Sequence, residues 1–182
     1  IYVDVTKDRM YCDGVESLRR KSSQTVMHDV FTALAKLLAP ILAYTAEEAW
    51  GHAGFADSVH EQDFPVAQDE WTPGEVSEKM ASLIEIRGVI QTAIEEQVKA
   101  KAFNKNNEAA VTLTVPADHA CRAELANREF ATEFFILSDL KLEDGAELSA
   151  TATATEHCMC PRCRRYEPLL DSGLCERCAD VV

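Results

Sequence analysis

The chain has no run of 18 consecutive apolar residues, so no membrane-spanning helix is expected. It shows no secretory leader and no internal repeat. Glycine is scarce, seven in 182 residues, and no glycine-rich phosphate loop is present. No Ser/His/Asp set and no pair of carboxylates in an apolar setting stands out, so the chain carries no recognisable catalytic apparatus. Basic residues are few: 18 Lys and Arg against 31 Asp and Glu, a formal charge of −13 that argues against a polyanionic partner for the chain as a whole. An initiator methionine is also missing. The sequence starts at Ile1 already in apolar, periodic residues and reads as a piece of something longer.

The distribution of charge softens the argument against a polyanion. Residues 1–40 hold six basic and five acidic side chains, residues 41–150 eight and twenty-one, and residues 151–182 four and five. The acid lies in the middle, and both ends are close to neutral with local basic clusters. One cluster is Ser17-Leu-Arg-Arg-Lys-Ser-Ser-Gln-Thr25, where Arg19, Arg20, Lys21 and Gln24 place donors on the first turns of a helix. A solvated helix face is the ordinary reading of such a run. Cations at a helix N-terminus nevertheless oppose the macrodipole, at a cost of a few tenths of a kcal/mol or more, and that local cost favours a function.

Cysteine is concentrated: five of the seven lie between Cys158 and Cys178. Cys160-Pro-Arg-Cys163 and Cys175-Glu-Arg-Cys178 are two C-x-x-C turns separated by eleven residues. Each turn points two sulfurs the same way, and two facing turns supply the tetrahedron that one zinc ion takes. A redox C-x-x-C needs only one pair, normally opening a helix after a strand. With Cys160, Cys163, Cys175 and Cys178 all ligating, no coordination position stays open for substrate, so the zinc is expected to be structural. His157 and Cys158 lie just outside the set. Arg162 and Arg177, inside the turns, balance the charge of a tetrathiolate. Arg164, Arg165 and Tyr166 follow the first turn, and guanidinium groups beside an aromatic ring suit phosphate contact and base stacking as well as they suit a solvated face. Lone Cys12 and Cys121 together with thiolate ligation suggest a reducing, cytoplasmic setting.

Along the chain, residues 1–11 read as the end of a helix broken at Asp13-Gly14. A helix from Glu16 to Ala39 carries the stripe Val26, Val30, Ala33, Leu34, Leu37 and Leu38 and stops at Pro40. Thr45 and Glu48 form a capping box for a helix ending near His52, and residues 58–71 form a connecting loop. Thr72 and Glu75 form a second capping box, opening a helix to about Lys101 whose inward face is Val76, Met80, Leu83, Ile84, Ile90, Ile94 and Val98. Ala110–Val115 alternates as a half-buried strand. Residues 118–132 read as a short helix, and Phe134–Leu142 as a strand that Asp144-Gly145 turns into a hairpin with residues 146–152. The threonine-alanine stretch that follows is an edge strand or a linker. The expected fold is mainly α: a helical part at 1–72, a long helix with a small α+β region at 73–155, and a four-cysteine zinc ribbon at 156–182.

Three stretches, Tyr2-Val-Asp-Val-Thr-Lys-Asp-Arg-Met-Tyr-Cys12, the segment 17–25 and Leu37-Leu-Ala-Pro-Ile-Leu-Ala-Tyr-Thr-Ala-Glu-Glu-Ala-Trp50, resemble the helical anticodon-binding domain of bacterial isoleucyl-tRNA synthetases. Ser58-Val-His-Glu-Gln-Asp-Phe-Pro65 resembles the connector that follows it, and Cys160–Cys178 the zinc-binding tail. The related valine and leucine enzymes share the Leu-Ala-Pro-Ile region without this tail. The zinc finger of formamidopyrimidine-type DNA glycosylases resembles the tail but comes with nothing like residues 17–50. Two departures stand out. Lys101-Ala-Phe-Asn-Lys-Asn106 replaces the family's Lys-x-Ile-Gly-x-Ser-like segment, and Arg164 stands where tryptophan is usual.

The resemblance implies a role. The chain grips the anticodon stem-loop of tRNA(Ile) for aminoacylation by a catalytic domain that it lacks, together with that domain's ATP, Mg and His-Ile-Gly-His and Lys-Met-Ser-Lys-Ser signatures. The implied RNA contacts are Arg19, Arg20, Lys21, Gln24, Arg164, Arg165 and Tyr166. The implied partners are tRNA(Ile) and the remainder of the synthetase, in a monomer without membrane attachment. The rival reading is a zinc-stabilised protein-interaction module that binds no RNA.

Overall fold

A computed structural model describes residues 1–68, 71 and 74–182. In chain order its elements are α1 (Tyr2–Cys12), α2 (Leu18–Leu38), α3 (Ala43–His52), α4 (Gly74–Lys99), β1 (Ala109–Val115), α5 (Arg122–Ala126), α6 (Arg128–Phe135), β2 (Asp139–Asp144), β3 (Ser149–Ala154), β4 (Cys158–Met159), β5 (Tyr166–Glu167) and α7 (Glu176–Ala179). They fall into two compact units, Asp13–Trp71 and Ile1–Cys12 with Thr72–Val182. Among the described residues no helix is long and apolar enough to cross a membrane.

In the unit 13–71, Ser17 caps α2 by accepting the amide N–H of Arg20 at 3.4 Å. Cation–dipole opposition at this end is offset locally: Arg19 pairs with Asp13 at 3.2 Å, and Arg20 donates to the Asp13 carbonyl at 3.0 Å. The helix stops one residue before Ala39-Pro40, as proline requires. The core is small: Ala35, Ala39, Ala46, Trp50 and Val59, with Phe31 and Phe55 packed against them. Alanines on the facing surfaces of α2 and α3 let the two helices approach, and Trp50 fills the end of the gap, stacked on Phe55 at 4.0 Å. The apolar stripe read from the sequence is not the side that packs on α3, and its Ala33 is half-buried. Val26, Val30, Leu34, Leu37 and Leu38 are exposed, Leu34 at 49%. The side of α2 that meets α3 is the neighbouring row through Phe31, Ala35 and Ala39, where small residues permit contact. The capping box at Thr45 is also absent. The helix begins two residues earlier at Ala43, Thr45 is already inside it, and the N-cap Leu42 makes no side-chain bond. Thr72, of the second expected box, lies outside the described residues.

The other unit is built around β1. Its alternation is strict, with Ala109, Val111, Leu113 and Val115 buried and the residues between half-buried. Helix α4 covers this sheet with Leu83, Ile86, Ile90, Ala93 and Ile94, while Leu125, Ala131, Phe134 and Phe135 of α5 and α6 complete the core. Of the face expected for α4, Leu83, Ile90 and Ile94 are inside, but Val76, Met80, Ile84 and Val98 are exposed. Ile86, Ala93 and Arg87 complete the inward side instead: Arg87 is buried, and its Nη1 donates to the Phe134 carbonyl at 2.5 Å. A residue type that normally marks the solvent side has there found a carbonyl left over at the end of α6.

The strand order is β2-β1-β3, so the expected hairpin does not form. β2 pairs parallel to β1 in the register Val111 to Leu140, and β3 pairs antiparallel on the opposite edge in the register Val111 to Ala152. Asp144-Gly145 does turn the chain, and the Gly145 amide donates to the Val115 carbonyl at 3.1 Å. A Cβ at Gly145 would stand 2.2 Å from Thr114 Cγ2, so any larger residue here requires the Thr114 side chain or the turn to shift. The chain then crosses to the free edge of β1 instead of returning along β2. Residues 134 and 135 belong to α6, which ends at Ile136 in the left-handed region at φ 58° with the Leu137 amide bonded back to the Thr132 carbonyl.

Candidate metal centre and basic segments

The C-terminal segment is held by two short devices. β4 pairs with β5 in the register Cys158 to Glu167, and a single bridge joins Leu169 to Cys175. The first C-x-x-C turn closes with the Arg164 amide on the Cys160 carbonyl and the Cys160 amide on the Arg165 carbonyl, both at 2.8 Å. Arg164 sits in the left-handed region at φ 61° to make this closure. Gly173, at φ 77°, turns the chain back toward the second pair, and α7 starts directly at that pair.

The sulfurs of Cys160, Cys163, Cys175 and Cys178 all lie within 4.8 Å of one another, and no disulfide joins any of them. Zinc–thiolate bonds of about 2.3 Å arranged tetrahedrally put the sulfurs about 3.8 Å apart, and Cys163 Sγ and Cys175 Sγ are 3.7 Å apart. Three of the four cysteines are buried, with Leu169 and Leu174 packed against them. Burial pushes the Cys160 thiol up, but amide N–H groups from Cys175, Cys163 and Arg162 outweigh it and bring it down to about 6. Burial beside other sulfurs raises Cys163 and Cys175 instead. The donor set fits a soft, four-coordinate metal ion. His157 is half-buried and Cys158 exposed, and neither belongs to the cluster.

The remaining arginines of this segment divide. Arg164 is exposed, and its carbonyl accepts from Asn107 Nδ2 at 3.1 Å. Arg165 turns inward: it donates to Thr132 Oγ1 at 2.9 Å and pairs with Glu167 at 3.2 Å and Asp8 at 3.5 Å. Tyr166 is half-buried with its hydroxyl 3.5 Å from Glu108, and burial followed by that carboxylate raises its pKa. In the unit 13–71, Arg19 and Arg20 are half-buried around Asp13, Lys21 pairs with Glu16 at the surface, and Gln24 is exposed. Asn107 holds the backbone of Arg164, and Thr132 and Asp8 hold the side chain of Arg165; none of the three was marked by the sequence, because each lies far along the chain from its partner.

Residues 1–113 match the family model described as the anticodon-binding domain of tRNA ligase. The chain belongs to that family. Over its whole length it is also similar to isoleucine–tRNA ligases: 31% identical over 188 residues to that of Methylacidiphilum infernorum, 32% over 197 to that of Streptococcus pneumoniae strain Hungary19A-6, and 35% over 190 to that of Zymomonas mobilis. Each alignment takes in 100% of this chain but only 20%, 21% and 20% of the relative. The chain spans about a fifth of the length of the curated relatives it matches. In this member of the anticodon-binding family the four-cysteine cluster lies beyond the stretch that defines the family, and within the stretch aligned with the isoleucine–tRNA ligases.

Proposed function

We propose that the chain is the C-terminal, tRNA-binding portion of an isoleucine–tRNA ligase, and that it holds one structural zinc ion on Cys160, Cys163, Cys175 and Cys178. The observation that carries the reading is the full-length alignment with isoleucine–tRNA ligases on top of the anticodon-binding match at residues 1–113. The partners are tRNA(Ile) and the remaining four-fifths of the ligase, acting as a cytoplasmic monomer; ATP and Mg belong to that remainder. The zinc supplies no chemistry to aminoacylation. It ties two turns that have almost no core of their own.

RNA recognition on this reading uses the outward donors. Arg164, Lys21 and Gln24 offer their side chains to phosphate or to unstacked loop bases, with Arg19 and Arg20 beside them at the start of α2. Arg165 and Tyr166 are turned to Thr132 and Glu108 and anchor the segment that carries Arg164. The acidic stretch 41–150 keeps polyanion off the rest of the surface.

One observation favours a second reading, a zinc-stabilised protein-interaction module: the exposed row Val26, Val30, Leu34 and Leu37 along α2 offers apolar surface to a protein. Binding of tRNA(Ile) and of a tRNA with another anticodon, at two salt concentrations, separates the two. Preference for tRNA(Ile) with a steep loss at higher salt supports RNA recognition. No binding by the chain, together with undiminished tRNA binding by a ligase from which it has been removed, would leave the interaction module.

A further inference from the structure

Each C-x-x-C turn carries an arginine, and both arginines reach the same helix. Arg162 Nη1 donates to the backbone carbonyl of Cys12 at 2.7 Å and to Cys178 Sγ at 3.4 Å. Arg177 donates from Nη2 to Asp8 Oδ1 at 2.8 Å and from Nη1 to the other carboxylate oxygen. Arg165 adds a second guanidinium at the same carboxylate, 3.5 Å away. Asp8 and Cys12 are four residues apart on α1 and so share one face. The first turn of the cluster is thereby tied to the carbonyl end of α1, and the second to a carboxylate one helical turn earlier.

We propose that Asp8 is a positioning residue of the metal centre, and that docking of the C-terminal half of α1 is coupled to metal occupancy. The proposal rests on the metal reading above. A planar guanidinium held by both carboxylate oxygens has its plane and reach fixed. Arg177 stands between Cys175 and Cys178, so fixing its side chain restrains the turn that carries two of the four sulfurs. Outer-shell partners of this kind orient ligands before the metal arrives. Coupling of this sort is reciprocal: whatever the metal adds to docking of α1, docked α1 adds to metal affinity.

Simple electrostatics makes the opposite forecast. A zinc tetrathiolate is anionic, and removing the nearby Asp8 carboxylate lowers repulsion and tightens metal binding. Positioning requires that the same removal weaken it. The two accounts therefore differ in sign.

The test uses the 182-residue chain, kept reduced, with zinc affinity read by competition against a chromophoric chelator. Asp8→Ala is expected to weaken zinc binding by about 10- to 100-fold, and Asp8→Asn, which keeps an acceptor oxygen, by less. Asp4→Ala, on the same helix but paired at the surface with Lys7 at 3.1 Å, is expected to change nothing. Unchanged or tighter binding in Asp8→Ala overturns the proposal. Hydrogen exchange on the unsubstituted chain gives the reciprocal arm and decides the matter even if Asp8→Ala fails to fold. Stripping zinc is expected to speed exchange in residues 8–12 together with residues 158–180, while residues 109–115 stay protected. Unaltered protection of residues 8–12 overturns the coupling. An unsubstituted chain that takes up no zinc ends the metal reading itself, an outcome distinct from one that takes up zinc with indifference to Asp8.

Discussion

Arg165 Nη2 donates to Thr132 Oγ1 at 2.9 Å and so joins the cysteine segment to α6. Thr132 is buried and has passed its own proton to the Arg128 carbonyl at 2.9 Å, leaving an acceptor for the guanidinium. Arg164, one residue earlier, points to solvent from a left-handed backbone. Two adjacent arginines of the same apparent kind thus do different work.

Replacement of Arg165 by alanine leaves Asp8 with one guanidinium fewer and Thr132 without its donor. Burial pushes the Asp8 carboxyl up, and Arg177 and then Arg165 bring it below the usual carboxylate range, so loss of either weakens that hold. The expected cost is about 1–3 kcal/mol in urea unfolding. Arg164→Ala is expected to stay within about 0.5 kcal/mol of the unsubstituted chain. Equal stability of the two variants would show that the inward network of Arg165 contributes nothing.

Metal analysis of chain purified without chelator is expected to give one zinc per molecule. Cys160→Ser is expected to abolish it, since serine supplies no thiolate, and to leave the α4–β1 core folded. Chelator is expected to lower the apparent stability of the native chain and to leave that variant unaffected. Zinc retained at full stoichiometry by Cys160→Ser would break the ligand assignment.

Helix α4 offers a test inside one element. Ile86 is 0% exposed and Ile84 is 46% exposed, two residues apart with the same side chain. Ile86→Ala is expected to cost about 2–5 kcal/mol, from lost burial and the cavity left behind. Ile84→Ala is expected to cost about 0.5 kcal/mol or less. Similar losses at both sites would mean that α4 turns its other face to the sheet.

These contrasts mark what was legible in the sequence. Cysteine spacing shows its meaning because a C-x-x-C turn brings its sulfurs together by local geometry alone. The alternation of Val111, Leu113 and Val115 was legible for the same reason. The inward face of α2 was not, and that of α4 only in part, at Leu83, Ile90 and Ile94, because both helices carry more apolar residues than one face holds, and the choice between faces fell to distant partners: Ala46 and Trp50 of α3, and the Phe134 carbonyl that accepts from Arg87. Asp144-Gly145 signals a turn and nothing more. Whether the next strand returns along β2 or crosses to β1 depends on which edge of β1 is open, and no local residue encodes that. Asp8 was invisible as a partner of Arg177 because 169 residues separate them.

RNA binding gives the last test, and charge placement decides its design. Arg164 is exposed beside the cysteine cluster, and Lys21 and Gln24 lie at the surface of α2. Lys99 and Lys101 are equally exposed but belong to the acidic stretch 41–150, which has twenty-one acidic against eight basic residues. Changing Arg164 and Lys21 together to alanine removes the same charge as changing Lys99 and Lys101 together. Counterion release makes each lost phosphate contact lower the salt slope of binding by about 0.7 to 0.9. The Arg164/Lys21 pair is therefore expected to weaken tRNA(Ile) binding and to flatten its salt dependence by up to about 2 units. Lys99/Lys101 is expected to leave both nearly unchanged, because anionic RNA is repelled from that surface before any contact forms. Where the chain alone binds too weakly to measure, the same pairs are compared in the full-length ligase through kcat/KM for tRNA, with ATP–isoleucine activation as the step that neither pair should alter. Equal effects from both pairs would mean that RNA senses only net charge, and the cysteine segment would then stiffen the protein without reading the tRNA.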